Sequence, residues 1–243
     1  MRGPGMRSAA CSHIGLVRKG NEDAFLDRPD VGLWAVADGM GGLAAGDVAS
    51  QAVIAALGGI SGPLDAAALP GEVRRRIGDA NAHLRRLAAA RGPGAMMGST
   101  VAGLIAQGGH FACFWAGDSR VYRLRSGELD QLTRDHSLVQ DMVDTGQLLP
   151  DEAEQHPYAS VIQRAVGVDD QVALEWVHAP LQPGDVFLLC SDGLTRMVSN
   201  PELERHLRGG LGAGGLDQAC RGLVSLVLAR GAKDNVTVVL VAA

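Results

Sequence analysis

Apolar residues recur along the chain with two different periods, one typical of strands and one typical of helices. Short apolar runs bounded by glycine, proline or charged residues predict strands, at 31–37, 99–106, 110–116, 120–125, 172–177, 186–190 and 236–241. A weaker run at 9–17 suits an edge strand. Apolar residues at helical spacing predict helices, at 45–57, 72–90, 137–146, 201–207 and 216–229, with a short one at 150–152.

The connections in the middle of the chain are too short for parallel strands. Gln107-Gly108-Gly109, Gly117-Asp118-Ser119 and Ser126-Gly127 each separate two predicted strands. A parallel pair needs a crossover of roughly a dozen residues or more, so this region is predicted to be an antiparallel meander. The element order predicts an α+β fold, a four-layer αββα sandwich in which two mainly antiparallel sheets are flanked by helices.

The length of 243 residues favours one domain rather than two. We expect a flexible arm over 1–8 and a single domain over 9–243. The weakly apolar helices near 137–165 suit a flap inserted on the surface of that domain.

Composition limits the classes of function. The chain is 47% hydrophobic, enough for a full core, and its net charge of -5 offers no general attraction for nucleic acid. The four cysteines show no Cys-x-x-Cys spacing, which predicts free thiols in a reducing compartment. No apolar run reaches the roughly 18 residues of a membrane span, and residues 1–12 lack the apolar core of a signal peptide. We therefore expect a cytoplasmic protein.

Three aspartates stand at the ends of predicted strands. Asp38 and Asp192 are each followed by glycine, and Asp234 stands just before the last strand, with Asn235 between them. Oxygen ligands without a neighbouring His or Cys select Mg²⁺ or Mn²⁺. An aspartate in such a position is more often a turn former or a helix cap, so spacing alone leaves both interpretations open.

A set of short motifs, taken together, is far more specific than any one aspartate. In chain order they are Arg18-Lys19-Gly20-Asn21-Glu22-Asp23, Val36-Ala37-Asp38-Gly39-Met40-Gly41-Gly42, Gly98-Ser99-Thr100, Ala116-Gly117-Asp118-Ser119-Arg120, Leu132-Thr133-Arg134-Asp135-His136-Ser137, Cys190-Ser191-Asp192-Gly193-Leu194 and Lys233-Asp234-Asn235. From residue 12 to residue 241 the chain resembles the metal-dependent serine/threonine protein phosphatases, the type 2C-like family, in its bacterial form.

The resemblance implies a site built on two Mn²⁺ or Mg²⁺ ions. Asp38 would bridge them, with Asp192 and Asp234 on one ion. The carbonyl of Gly39 would join the other ion, and Glu22 would serve it through water.

Two further residues take roles from the same resemblance. Asp118 would hold a third, weaker ion together with Asp192. Arg18 matches the family's phosphate-binding arginine, and its forked guanidinium suits a phosphate.

The implied reaction is hydrolysis of phosphoserine and phosphothreonine in proteins by a water molecule that the two metal ions activate. We expect a monomer that opposes a bacterial Ser/Thr kinase, and a kinase-regulated secretion apparatus is one pathway that the resemblance suggests. A non-catalytic module that binds phosphoproteins and a hydrolase of small phosphoesters are the alternatives.

The chain departs from animal members of the family at Met40. Those proteins carry a histidine there that is regarded as the general acid, whereas a thioether cannot donate a proton. Either water on a metal ion, such as the ion at Asp118, replaces it, or the leaving-group step is slower. His13 has no assignable role, and His136 is expected to form structural hydrogen bonds.

Overall fold

The computed structural model describes residues 6–41, 45–62, 67–153, 156–213 and 215–243. Gly42 of the second motif and most of the expected arm at 1–8 lie outside these residues. The strands are β1 Arg7–His13, β2 Asp23–Arg28, β3 Leu33–Met40, β4 Gly98–Ser99, β5 Val101–Gln107, β6 His110–Ala116, β7 Arg120–Arg125, β8 Glu128–Gln131, β9 Glu175–Pro180, β10 Val186–Cys190 and β11 Val236–Ala242. The helices are α1 Gly46–Gly58, α2 Leu69–Arg91, α3 Leu138–Asp144, α4 Pro150–Ala153, α5 Asp192–Thr195, α6 Asn200–Ala213 and α7 Gly215–Ala229.

The strands form two sheets in which every pairing among the described residues is antiparallel. One sheet has the order β1-β11-β10-β7-β8. The other has the order β2-β3-β5-β6-β9, with the two-residue β4 paired to β3. β1 lies at the edge of its sheet, as predicted.

The two sheets pack face to face around a shared apolar core. Trp34 and Phe111 of the second sheet lie in one buried cluster with Phe187 and Val239 of the first. The rings of Phe111 and Phe187 meet edge to face with their centroids 4.9 Å apart, a favoured aromatic geometry. This cluster is the inner layer of the sandwich.

The long helices cover the outer faces of the two sheets. The apolar stripes of α1 and α2 contribute Val53, Leu57 and Ile77 to the cluster outside β3 and β5. The stripes of α6 and α7 contribute Leu207 and Leu223 to the cluster outside β10 and β11. The α+β four-layer sandwich predicted from the sequence is therefore confirmed.

The predicted meander is wrong at its centre. β6 and β7 follow each other in the chain but belong to different sheets. The turn between them needs Gly117, whose φ is 114° and whose Cβ, if it had one, would lie 2.6 Å from the side chain of Thr100. The change of sheet places Asp118 where the two sheets meet.

Strand boundaries differ from the prediction where charge or pairing overrides the apolar pattern. β2 and β8 were not predicted, since β2 carries three charged residues and β8 is largely exposed. The strand expected at 172–177 lies three residues later, at Glu175–Pro180, because β9 pairs with β6 from Trp115↔Glu175 to His110↔Pro180. β1 begins at Arg7 and ends at His13 because its partner β11 spans the same length.

The segment expected to be a flap, at 137–165, contains α3 and α4. Ser137 caps the N-terminus of α3, and its hydroxyl accepts a hydrogen bond from the backbone N–H of Gln140. An isolated bridge between Ser137 and Ile162 joins the two ends of the segment. Within the described part of α3, only Val139 is buried.

The four cysteines are free thiols, as expected. Cys113, Cys190 and Cys220 are buried, and Cys11 is partly exposed. Burial raises the pKa of the Cys190 thiol to about 12, which makes it an unreactive core residue.

In the described ranges, no helix combines the length and the apolar character that crossing a membrane requires. The longest helix, α2, carries a charged face: Arg75 pairs with both Glu72 and Asp79.

Candidate metal centre and active site

β3 carries Asp38 to the junction of the two sheets and fixes its main chain. The Asp38 N–H donates to the hydroxyl of Thr100 at 2.9 Å, and the Thr100 N–H donates back to the Asp38 carbonyl at 2.8 Å. The Ser99 hydroxyl donates to the same carbonyl. The third motif therefore acts as a clamp on the backbone of Asp38.

Two glycines allow Glu22 to lie against the end of β3. The Gly39 N–H donates to the carbonyl of Glu22 at 3.0 Å. A Cβ on Gly46 would lie 2.6 Å from the Glu22 carboxylate and 2.8 Å from the Gly39 carbonyl. Only a residue without a side chain leaves space beside these two oxygens, which are both predicted metal ligands.

Asn235 holds the loop that carries Glu22 and Arg18. Its side-chain oxygen accepts from the Glu22 N–H at 2.8 Å. Its side-chain amide donates to the carbonyls of Ile14 and Gly20 at 2.8 and 3.0 Å. One side chain therefore joins both ends of the loop to the start of β11.

Asp192 and Asp234 approach the junction from the other sheet. Asp192 opens the short helix α5 after β10, and Asp234 lies two residues before the start of β11. The two segments pack closely: a Cβ on Gly193 would lie 1.8 Å from the carbonyl of Asn235. The glycine of the Asp-Gly pair is therefore required by packing.

The carboxylates brought together here repel one another. Burial, followed by the charges of Asp23, Asp192, Asp118 and Asp234, raises the pKa of Asp38 well above its usual value. Such mutual repulsion in a partly dry cleft favours a bound cation, which would lower these pKa values again.

Two more acids of the cleft show the same effect. Burial and the charge of Asp192 raise the pKa of Asp118 to about 8. Burial also raises the pKa of Glu22. Asp23, directly opposite Asp38 in the β2–β3 register, has a pKa raised to about 7 by burial.

Arginines engage two of the three aspartates that the sequence singled out. Arg18 Nη2 lies 2.5 Å from Asp234 Oδ2, and this hydrogen bond raises the pKa of the guanidinium. Arg196 Nη2 lies 2.6 Å from Asp192 Oδ2. Arg18 therefore sits at the predicted centre, and its side chain is 51% exposed.

The cleft suits a divalent metal ion, although its ligands are not gathered around one point. Among the residues that the structure describes, no three His, Cys, Asp or Glu side chains form a group that could hold a metal ion as they stand. The donors are all oxygens, the acids repel one another, and Gly46 keeps space beside Glu22 and Gly39. This donor chemistry fits Mn²⁺ or Mg²⁺.

Asp118 lies apart from the Arg18 side of the cleft. It is 4% exposed and its Oδ1 atom is buried without a hydrogen-bond partner. It lines a cavity of about 30 Å³ together with Asp192. Asp118 and Asp192 therefore lie close together, and a shared third ion remains a prediction.

The two histidines and the methionine noted in the sequence make contacts within the fold. His13 Nδ1 accepts from the Gly15 N–H at 3.0 Å. His136 Nδ1 accepts from the Gly117 N–H, and its ring stacks on Trp115. Met40 ends β3 beside Gly98.

Sequence reasoning gave no role to several residues that build this cleft. Asn235, Thr100 and Gly46 position the predicted ligands, and Ser191 Oγ donates to the buried carboxylate of Asp23 at 2.7 Å. Asn235 and Thr100 stood inside quoted motifs, so a signal was present. Gly46 had no signal, because its requirement depends on a contact with Glu22 that the fold creates.

Comparisons with known proteins show the family to which the chain belongs. The family model "Protein phosphatase 2C" matches residues 10–223. The serine/threonine protein phosphatase PstP of Mycobacterium tuberculosis is 38% identical over 97% of the chain, which spans 44% of that longer protein. The serine/threonine phosphatase stp of Listeria welshimeri is 34% identical over 93% of the chain and 92% of its own length.

Solved structures share the fold over nearly the whole chain. PppA, described as a key regulatory component of T6SS in Pseudomonas aeruginosa, has a TM-score of 0.88 at 44% identity, covering 98% of this chain and 97% of that one. The catalytic domain of PstP in complex with two manganese ions has a TM-score of 0.85 at 36% identity, covering 98% and 97%. The chain therefore belongs to the protein phosphatase 2C family, the metal-dependent serine/threonine protein phosphatases, in the form found in bacteria.

Proposed function

We propose that this chain hydrolyses phosphoserine and phosphothreonine in proteins with two Mn²⁺ or Mg²⁺ ions, in opposition to a bacterial Ser/Thr kinase. The observation that carries the proposal is the convergence of mutually repelling acids on one cleft with an exposed arginine at its edge. Phosphate hydrolysis requires cations that neutralise charge and a group that orients the phosphate. In this proposal the acids hold the cations and Arg18 orients the phosphate.

The ligands in this proposal are those predicted from the sequence. Asp38 would contact both ions, Asp192 and Asp234 would help to hold one, and the Gly39 carbonyl and Glu22 would help to hold the other. When bound, the ions supply Lewis-acid activation of water and offset charge on the phosphoryl oxygens. The chain's own contribution is to hold these oxygens in place through Thr100, Gly46 and Asn235.

Arg18 is the proposed phosphate-binding residue. Its guanidinium holds Asp234 and is half exposed, so it can bind an arriving phosphate without first being uncovered. A planar fork binds two phosphate oxygens at once, which orients the phosphorus toward the acids.

The proposal treats residues 9–243 as a single catalytic domain with its flap near 137–165, acting as a monomer in the cytoplasm. Four free thiols suit a reducing compartment. The 44% identity to PppA makes regulation of type VI secretion a candidate pathway.

The test compares two substrates. A phosphothreonine peptide and a small aryl phosphate are offered to the purified protein in Mn²⁺ and again in excess chelator, and phosphate release is measured. We expect a higher kcat/KM for the peptide than for the aryl phosphate, and no phosphate release from either substrate in chelator. Faster release from the aryl phosphate favours the small-phosphoester alternative, whereas calorimetric peptide binding without turnover in Mn²⁺ favours the non-catalytic binding module.

A further inference from the structure

An open groove, which we call the α2 groove, lies between the C-terminal end of α2 and the segment at 167–168. Residues between Arg85 and Met96 form one wall, and Gly167 and Val168 form the other. Its volume is about 470 Å³, within the range of roughly 300–1,000 Å³ that is usual for sites that bind small groups. The groove is therefore large enough to take a side chain of another molecule.

Two large apolar side chains are exposed in this groove. The Met96 side chain is 67% exposed and that of Val168 is 40% exposed. Single exposed apolar residues are ordinary, but two that line one concave surface form a patch of the kind that binds a partner. Among the described residues that line the groove, Arg85 is the charged one, and it pairs with Asp170. The lining therefore suits an uncharged apolar group rather than an ion.

The wall that carries Val168 is held in place by a buried amide. Asn81 Oδ1 accepts from the Gly167 N–H at 2.6 Å, and Asn81 Nδ2 donates to the carbonyl of Asp169 at 3.0 Å. Gly167 has a φ of 96°, and a Cβ on it would lie 2.3 Å from the carbonyl oxygen of Met97. The two walls thus meet in close contact, so the groove is formed before any ligand arrives.

Both walls end beside the strand that carries Asp38. The main chains of Val166 and Ser99 exchange two hydrogen bonds, of 2.8 and 2.9 Å. The Ser99 hydroxyl in turn donates to the Asp38 carbonyl. On the other wall, a Cβ on Gly41 would lie 2.8 Å from the carbonyl oxygen of Met96. The α2 groove therefore borders the acid cleft at the end of β3.

The separation between the cleft and the groove corresponds to a short stretch of peptide. Asp38 and Gly41 are three residues apart, which is at most roughly 10 Å in an extended chain that advances about 3.3 Å per residue. An extended substrate advances by the same amount per residue. A side chain about three residues from the phosphorylated residue can therefore reach the groove while the phosphate lies at the acids.

We propose that the α2 groove binds an apolar side chain of the phosphoprotein substrate, about three residues from the phosphorylated serine or threonine. The inference rests on the proposed function, because it places the phosphate in the acid cleft. The groove supplies binding energy and holds no catalytic residue. An aryl phosphate is too short to reach it, so this contact favours a peptide over a small phosphoester.

The experiment uses phosphothreonine peptides with alanine at the flanking positions. One leucine is moved through every position within four residues of the phosphothreonine, and kcat/KM is measured in Mn²⁺. Peptides with glutamate or lysine at the best position test the chemistry of the groove. The readout is the ratio of kcat/KM for the leucine peptide to that for the alanine peptide, which cancels any loss of folded enzyme or bound metal.

The variant combines Met96→Gln with Val168→Thr, which nearly keeps the size of both side chains and makes the lining polar. Val48→Thr is the matched control. Val48 is 38% exposed, close to the exposure of Val168, and lies on α1 outside the groove lining.

In the wild type, a leucine about three residues from the phosphothreonine is expected to raise kcat/KM by about tenfold, the lower end of the effect of one methylene group in an apolar pocket. Glutamate or lysine there should give no gain. The double variant should lose most of the leucine preference, and Val48→Thr should keep it. The inference is overturned if no leucine position gives a gain in the wild type, or if the preference survives in the double variant.

The two proposals fail in different ways. A wild-type protein that releases no phosphate from any peptide in Mn²⁺ contradicts the proposed function and the role of the groove with it. Release from all the peptides with similar kcat/KM contradicts only the role of the α2 groove.

Discussion

At the scale of single residues, the cleft depends on side chains that hold others in place. Asn235 makes three hydrogen bonds to the loop of Arg18 and Glu22, one to an N–H and two to carbonyls. The partners in those three bonds are main-chain groups, so one side-chain amide joins three points of the loop.

Replacing Asn235 by alanine is expected to weaken Mn²⁺ binding by about tenfold to a hundredfold, the range seen when a partner that orients metal ligands is lost. The loop would remain present but Glu22 would be less well placed. The measurement is Mn²⁺ titration of the folded variant.

Asn200→Ala is the control for this substitution. Asn200 accepts a hydrogen bond from the Tyr122 hydroxyl at the start of α6 and does not contact the loop. Equal loss of Mn²⁺ affinity in both variants would show that Asn235 has no special role.

The acids themselves could be predicted at this scale, but their surroundings could not. Asp38, Asp192 and Asp234 are recognisable because each ends or begins an apolar run. The contact of Gly46 with Glu22 arises only when separate segments meet. Short-range sequence patterns carry no information about such contacts between distant segments.

At the scale of elements, α5 illustrates how packing restricts a motif. The four-residue helix begins at Asp192, and its second residue, Gly193, lies against the main chain before β11. A methyl group there would lie 1.8 Å from the Asn235 carbonyl, so helix and strand would have to separate.

Gly193→Ala is therefore expected to lower the free energy of unfolding by about 1–3 kcal/mol, the usual cost of overpacking. Gly78→Ala is the control, because Gly78 is an exposed helical residue with nothing within 4 Å of its missing Cβ. That substitution should instead stabilise the protein by roughly 0.5–1 kcal/mol. Urea denaturation measures both, and a Gly193→Ala protein as stable as the wild type would contradict the packing argument.

Long apolar elements were predictable and their partners were not. β3, β10 and β11 were found near their true bounds because each is almost wholly buried. The change of sheet between β6 and β7 was missed, since a three-residue connection has the length of a hairpin in the sequence. The charged β2 was missed for a related reason: its partner β3 supplies the burial that its own pattern lacks.

At the scale of the whole molecule, the acids at the sheet junction link stability to pH. The pKa of Asp118 is raised to about 8 and that of Asp23 to about 7, far above the values of an unfolded chain. Between roughly pH 4 and pH 8 the folded state therefore binds more protons than the unfolded state. Stability from these groups is lost as pH rises through the folded pKa values.

The ion-free protein is accordingly expected to melt at a lower temperature at about pH 8.5 than at about pH 7. Starting near pH 7 keeps His136 neutral, since burial lowers its pKa. Mn²⁺ should raise the melting temperature more at the higher pH, because it binds the ionised acids. Calorimetry tests both points, and Asp118→Asn should flatten the dependence; a melting temperature that rises with pH in chelator would contradict this account.

The most direct test of the central claim is Mn²⁺-dependent phosphate release from a phosphothreonine peptide by Asp38→Asn. Asp79→Asn is the matched control, because Asp79 is an acid on the solvent face of α2 whose side chain is 65% exposed. The account predicts a loss of kcat/KM of about a hundredfold or more for Asp38→Asn and none for Asp79→Asn. Hydrolysis by Asp38→Asn at the wild-type rate would show that the acids at the sheet junction are not the catalytic centre.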